Sequence, residues 1–349
     1  MERRTTRKIR VGDVFIGGDA PITIQAMTYS DTRDIKATID QIKRLEVAGC
    51  EIVRVAIVDQ EAADAIKKIK KEIRIPLVAD IHYDYRLALA CIENGVDKIR
   101  INPGNIADKL ELKKLVEFAK IKEVPIRIGI NSGCMEKEIL KKYNGITADG
   151  MVESVLNYCN IFETFNFENI VIAVKSSSVP MSIDAYRKIS KMTDYPLHIG
   201  VTETGTSYKG TIKSTLGIGT LLAEGIGDTV RVSLTGDLIE QVTVAKEILK
   251  GLEIRKEGIQ LVSCPTCGRC KVNSIEVAKA VDAKISSINK NLKVAIMGCS
   301  VNGPGEARDA DIGIAGGDGE FLLFKKGKII RKISKDNAVK ELVEEIERL

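Results

Sequence analysis

The 349-residue chain has a formal net charge of +5, with 44% hydrophobic and 29% charged residues, which is the composition of a globular protein long enough for two domains, or a large one and a small one. No apolar run is long enough to span a bilayer, and the basic start MERRTTRKIR is not followed by the apolar stretch of a secretory leader, so a cytoplasmic protein with no membrane partner is expected. Aromatics make up 4% and Trp is absent, which argues against base stacking on nucleic acid, while the mild positive charge suits small anions.

KIRVGDVFIGG reads as a hairpin turning at Gly12-Asp13. A repeating pattern follows. Short β-rich runs lie at 22–27, 52–57, 76–81, 98–102, 125–131, 170–175, 196–201 and 229–234. Amphipathic helical stretches separate them, such as IKATIDQIKRLEVAG with Ile35, Ile39, Ile42 and Leu45 on one face. A last helix, DLIEQVTVAKEILKGL, ends near 250. Eight β-then-α units predict a (β/α)8 TIM barrel over 1–250. A doubly wound sheet would carry a Gly-rich fingerprint after its first strand, where ITIQAMTYSD stands instead. GIGTLL at 217–222 lacks the third glycine of that fingerprint.

GLEIRKEG, 251–258, reads as a linker. Beyond it the rhythm changes. A strand at IQLVSC, a helix at NSIEVAKAVDAKISSI, strands at KVAIMGC and ADIGIAGG, a hairpin turning at Lys326-Gly327 and a charged final helix predict a small α/β domain over 259–349.

Four barrel strands carry an arginine between branched residues: Arg54, Arg100, Arg127 and Arg231. Buried parallel strands are normally near-continuous Val, Ile and Leu, and a charge there is costly unless something pairs with it. Alternation turns the branched neighbours toward the helices and the arginines inward. Asp80, His82, Asn102, Asn131, Lys175, Glu203 and Ser233 lie at strand C-terminal ends, where barrel enzymes keep their chemistry. Four Arg and a Lys converging on one mouth predict a small ligand with several negative charges, which the Arg fork grips through two oxygens at once. A single strand arginine is as often a snorkelling or salt-bridged residue; four in register with Lys175 are not. His82 and His198 suit structural and catalytic roles equally. Glu203 in TETG is a candidate acid or base, or the charge partner of an arginine.

Of the eight cysteines, Cys50, Cys91, Cys134 and Cys159 are scattered and read as small buried residues. Cys264, Cys267 and Cys270 lie in VSCPTCGRC, and Cys299 in MGCSVNGPGEA. Clustered cysteines in a cytosolic protein favour metal over disulfides, and the spacing favours an iron–sulfur cluster over zinc, which would show a second CxxC pair. The fourth ligand is either Cys270 or Glu306, which the NGPG turn can bring back toward the metal; a carboxylate is the harder, more labile ligand for iron.

CPTCGR, MGCSVNGPGE, IQAMTYSDTRD, KIRINPGN, RIGINSG, VKSSS, LHIGVTETG and VRVSLT, in this order over nearly the whole chain, resemble the bacterial 4-hydroxy-3-methylbut-2-enyl diphosphate synthase family of the methylerythritol phosphate route to isoprenoids. The resemblance implies the two-domain form, a TIM barrel followed by a small α/β domain with a [4Fe-4S] cluster. It implies reductive ring opening and dehydroxylation of 2-C-methyl-D-erythritol 2,4-cyclodiphosphate, with two electrons from ferredoxin or flavodoxin. The cluster ligands it implies are Cys264, Cys267, Cys299 and Glu306; the family pattern has no cysteine at position 270. Substrate binding is implied for Arg54, Asp80, Arg100, Asn102, Arg127, Asn131, Lys175, His198, Arg231 and Ser233, and proton handling for Glu203. A head-to-tail homodimer is implied too, in which one subunit's cluster domain caps the other's barrel.

Two other readings compete. A pterin-type barrel methyltransferase with an appended cluster domain would leave NGPGE and the inward cations without a role. A zinc-bearing basic binding module would carry zinc and bind nucleic acid with a steep salt dependence.

Overall fold

The structure is a computed structural model that describes residues 2–102, 109–133, 135–286, 288–299, 305 and 307–349. The chain divides into two compact units, Met1–Leu252 and Glu253–Leu349.

The first unit opens with the antiparallel hairpin of β1 (Ile9–Val11) and β2 (Val14–Ile16). Its turn needs glycine: Gly12 has φ +57°, and a Cβ there would stand 3.0 Å from Asp97 Oδ1 and 3.1 Å from Pro76 Cγ. Ile9, Val11 and Ile16 pack on Ile52, Val78 and Val171, near the N-terminal ends of three barrel strands. Burying each such side chain contributes about 1.5–3 kcal/mol, so the hairpin is a firm plug in the end of the barrel opposite the mouth.

The barrel strands are β3 (Thr23–Met27), β4 (Ile52–Ile57), β5 (Leu77–Ile81), β6 (Lys98–Ile101), β7 (Ile126–Asn131), β8 (Ile170–Lys175), β9 (His198–Ile199) and β10 (Thr229–Val230). They pair in the order β8-β7-β6-β5-β4-β3-β10-β9, and a parallel bridge from Ile172 to Leu197 closes the ring. The expected (β/α)8 barrel is present. Its last two strands are shorter than the sequence suggests. Just beyond β9, a Cβ at Gly200 would stand 2.5 Å from the Arg231 carbonyl oxygen, so the close approach of the two backbones there requires glycine.

The helices are α1 (Ile35–Ala48), α2 (Gln60–Glu72), α3 (Tyr85–Glu93), α4 (Lys109–Ile121), α5 (Lys137–Lys142), α6 (Ala148–Thr164), α7 (Val179–Met192), α8 (Ser207–Ala223) and α9 (Leu238–Gly251). The short α5 is an addition between β7 and α6. Side chains of Asp34, Asp59, Asp84, Thr147, Ser178 and Asp237 accept the first free N–H groups of their helices. These caps end the βα loops, so they fix the rim from which site residues project.

The second unit holds β11 (Ile259–Ser263), α10 (Ser274–Ile285), β12 (Leu292–Met297), β13 (Ile312–Gly316), β14 (Glu320–Lys325), β15 (Lys328–Ser334) and α11 (Ala338–Arg348). Its sheet runs β11-β12-β13-β14-β15, parallel for the first three strands and antiparallel after them. Val294, Ile296, Ile312 and Ile314 meet Val281, Ile285, Leu342 and Ile346 of the two helices. The other face carries Ala295, Met297, Ala315 and Phe324, with Cys264 packed beside them. No helix among the described residues is long and apolar enough to cross a membrane.

Candidate active site in the barrel mouth and candidate metal centre

Strand register sets which side chains meet inside the barrel. Arg54 pairs with Val78, Asp80 with Arg100, Arg100 with Arg127, and Asn131 with Lys175, so all of these face the same way. Their neighbours Ile99, Ile101, Ile126 and Ile128 face the helices. In a barrel, alternate strands supply each interior layer. The register puts Gln25, Val78, Arg127 and His198 in one layer, and Arg54, Arg100, Ala173 and Arg231 in the next toward the mouth.

Above these layers lies a cavity of about 220 Å³, lined by Arg54, Asp80, His82, Arg100, Arg127, Gly129, Asn131, Ala173, Lys175, Thr202, Arg231 and Ser233. Five of these carry cationic side chains, and Asp80 is the one carboxylate among the described lining residues. Asp80 is 3% exposed, with Arg100 Nη1 at 3.0 Å, Arg54 Nε at 3.6 Å and His82 Nε2 at 3.7 Å. Burial opposes its ionisation, but Arg54, then His82, Arg100 and Arg127, hold its carboxyl well below the usual carboxylate range.

One carboxylate leaves most of the donors idle. Arg54 Nε and Nη2 lie 3.1 and 2.8 Å from the Met27 thioether, a weak acceptor. Arg100 Nε, Arg127 Nε and Nη1, and Arg231 Nε are buried without a hydrogen-bond partner. Lys175 is buried, and desolvation first, then Arg127, Arg231, Arg54 and Arg100, pull its amine well below its usual range. Buried donors without acceptors are costly, and a polyanion with oxygens on several sides satisfies them together.

Asn102, on the same face of its strand as Arg100, is buried but does not line the cavity. His198 does not line it either: it sits 0% exposed in the layer beneath. Glu203 is exposed on the rim outside the lining, with φ 54°, a left-handed conformation that costs a non-glycine residue about 1 kcal/mol. Its turn is tied to the segment after β10: Thr204 Oγ1 donates to the Ser233 carbonyl, and the Thr235 N–H donates to the Gly205 carbonyl at 2.9 Å.

In the second unit, Cys264 follows β11 and Cys299 lies just beyond the adjacent parallel strand β12. A cavity of about 300 Å³ is lined by Cys264, Cys267, Cys270, Cys299 and Met297, among others. Among the described residues, no three Cys, His, Asp or Glu side chains converge as a single-ion site requires. Four soft sulfur donors around a cavity of this size suit an iron–sulfur cluster. Cys264 Sγ accepts the Gly298 N–H at 3.0 Å, as a thiolate does. Cys270 differs. Hydrogen bonding with Ser274 first, then Val272, draws its thiol below the usual range, and its Sγ lies 3.0 Å from the Val272 carbonyl oxygen, a contact Cys264 does not make. Gly298 is needed beside them: a Cβ would stand 2.5 Å from Cys270 Sγ and 3.3 Å from Cys264 Sγ. Thr266, between the first two cysteines, has φ 61°, a strained conformation for a β-branched residue. Glu306 and Cys134 lie outside the described residues.

The model of the GcpE TIM-barrel domain family matches residues 6–246, and that of the GcpE protein C-terminal domain matches residues 260–348. The chain belongs to the GcpE family. Curated relatives named 4-hydroxy-3-methylbut-2-en-1-yl diphosphate synthase (flavodoxin) are similar over their whole length. The protein from Ruminiclostridium cellulolyticum is 62% identical, covering 100% of this chain and 99% of its own. That from Clostridium perfringens is 57% identical, covering 100% of both, and that from Geobacter sulfurreducens 54%, covering 99% and 98%. Among solved structures, dihydropteroate synthase from Stenotrophomonas maltophilia matches 71% of this chain and 98% of its own, at 11% identity and a TM-score of 0.52. The Yersinia pestis enzyme matches 71% and 100%, at 8% identity and a TM-score of 0.51. That likeness shows the barrel fold alone and does not favour the pterin-type reading.

Sequence reasoning missed Met27, Thr202 and, below the floor, Gln25 and Lys98. Lys98 had a signal: it stands two residues before Arg100, on the same face of the strand. Met27 and Gln25 look like ordinary strand residues and carried none.

Proposed function

We propose that the cavity binds 2-C-methyl-D-erythritol 2,4-cyclodiphosphate through Arg54, Arg100, Arg127, Lys175 and Arg231, with Asp80 orienting Arg54 and Arg100. The observation that carries this is one buried carboxylate set against five cationic side chains, three of which, Arg100, Arg127 and Arg231, bury donors without an acceptor. Asn131 and Ser233 supply neutral hydrogen bonds at the rim, Asn102 shapes the end of β6, and His198 supports the floor from below.

The enzyme is an iron–sulfur oxidoreductase of isoprenoid biosynthesis that forms 4-hydroxy-3-methylbut-2-enyl diphosphate. The reaction takes two electrons and two protons. A ring carbon–oxygen bond to phosphate breaks, and a hydroxyl leaves as water. Arg and Lys donors lower the charge on the departing phosphate oxygen, which favours ring opening. We assign delivery of a proton to the leaving hydroxyl to Glu203, whose turn is tied to the Ser233 segment.

We assign a [4Fe-4S] cluster to Cys264, Cys267, Cys299 and Glu306, with Cys270 a bystander held by Val272. When bound, the cluster supplies the substrate with electrons singly. Flavodoxin is the donor, as the relatives' names indicate for those proteins. Free thiols at every described cysteine suit a cytoplasmic location. Helix α9 returns the chain to the plugged end of the barrel, away from the cavity. That supports a head-to-tail homodimer, one protomer's cysteine unit closing the other's barrel.

The test is anaerobic turnover of the cyclic diphosphate with reduced flavodoxin. Formation of the linear allylic diphosphate is expected. Its absence from iron-replete protein would contradict the proposal.

A further inference from the structure

The interior beneath the cavity floor is polar where branched aliphatics would be usual. Gln25, Arg127 and His198 share a layer with Val78. Lys98 stands in the layer below, with Ile52, Val171 and Thr229. Lys98 is 0% exposed. Its Nζ, both ring nitrogens of His198 and both amide atoms of Gln25 are buried without a hydrogen-bond partner.

An ammonium cannot be held there without compensation. Burial strips its hydration, and the nearest charges toward the cavity, Arg127 on β7 and Arg54 on β4, have the same sign. His198 on β9 could only add positive charge. Two carboxylates lie near, and both are engaged. Asp80 pairs with Arg100 and Arg54, and Asp97 takes Lys70 and the Leu77 N–H. Desolvation first, then Arg127 and Arg54, hold the Lys98 amine well below its usual range.

We propose that Lys98 is a positioning residue that acts through charge: neutral beneath the empty floor, and protonated when a polyanion seats on the arginines above it. This rests on reading the cavity as a diphosphate site. A ligand charge roughly 10 Å away, at an effective dielectric constant of about 20, raises the pKa of Lys98 by about one unit, and a polyanion brings several such charges. Bound substrate therefore reverses the field that keeps Lys98 neutral. The proton taken up lets Lys98 add one more positive charge beneath the bound anion. Because the complex binds more protons than the free enzyme, affinity falls as pH rises from the free toward the bound pKa of Lys98.

The test is isothermal titration of the oxidised, anaerobic holoenzyme with the cyclic diphosphate, electron donor withheld, in buffers of different ionisation enthalpy. Titrated from pH 6 to 10, wild type should take up more protons per site than Lys98→Met, with a peak difference of up to about one. Lys98→Met should bind more weakly than wild type at the low end of that range, by about tenfold for each unit by which the ligand raises the Lys98 pKa, and nearly as wild type at the high end. The melting temperature of the ligand-free variant should hold or rise, because methionine removes an unpartnered amine. Lys98→Leu repeats the test if the methionine variant does not fold, and wild type with no proton uptake anywhere in that range overturns the proposal on its own. So does an unchanged proton count in the variants, or a loss of binding equal at every pH together with a lowered melting temperature. Failure of wild type to bind the cyclic diphosphate at all would instead remove the diphosphate-site reading.

Discussion

Arg100→Met separates a binding role from a structural one. The substitution removes one of five cavity cations and the nearest partner of Asp80, 3.0 Å away. At an effective dielectric constant of about 20, that ion pair is worth about 5.5 kcal/mol. Arg54 and Arg127 press on Arg100 with like charge. Two such repulsions at roughly 6 Å return about the same amount, so removing Arg100 relieves nearly what it forfeits. Asp80 keeps Arg54 at 3.6 Å and His82 at 3.7 Å. The ligand-free barrel should therefore change in stability by no more than about 1–2 kcal/mol. The diphosphate has no such substitute: losing one desolvated, charge-assisted contact should cost about 3 kcal/mol, or about a hundredfold in Kd. Titration calorimetry on the oxidised enzyme gives the Kd, and urea unfolding of the ligand-free protein gives the stability. Equal losses in both would mean that Arg100 is a structural ion-pair residue, and the reasoning from surplus charge would be refuted.

Gly298→Ala should empty the metal centre, because the new methyl stands 2.5 Å from Cys270 Sγ and 3.3 Å from the Sγ of the assigned ligand Cys264, so both thiols must shift; iron and sulfide content should collapse while diphosphate binding in the barrel stays within about twofold. Glu203→Gln should lower turnover by a hundredfold or more, roughly the worth of a general acid, with Kd unchanged, and normal turnover would remove Glu203 from the mechanism. Arg4→Ala frees the carbonyls of Ser190, Thr193 and Tyr195, so the barrel should lose about 2–3 kcal/mol in urea unfolding with no change in Kd.

The sequence made the architecture legible because barrel strands announce themselves by branched residues and their interruptions by charge. Arg54, Arg100, Arg127 and Arg231 could be placed inside from alternation alone, and the structure brings them to one cavity. Depth along the axis was not legible. It depends on stagger between strands, so His198 and Lys98, each inward by the same alternation, fall beneath the floor rather than in the lining. Glu203 was visible as a candidate, but its left-handed backbone and exposed rim position follow from bonds between its turn and the Ser233 segment, far apart in sequence. The cysteine spacing left Cys270 and Glu306 as rivals. What separates the thiols is local hydrogen bonding, an N–H toward Cys264 and a carbonyl toward Cys270.

The most direct measurement is a Mössbauer spectrum of anaerobically purified, iron-57-labelled protein, with and without the cyclic diphosphate. The account predicts one iron distinct from the others, oxygen-ligated and altered by substrate, as Glu306 ligation requires. Four thiolate-bound irons that ignore the substrate would contradict it, place Cys270 as the fourth ligand, and reduce the cluster to an electron relay.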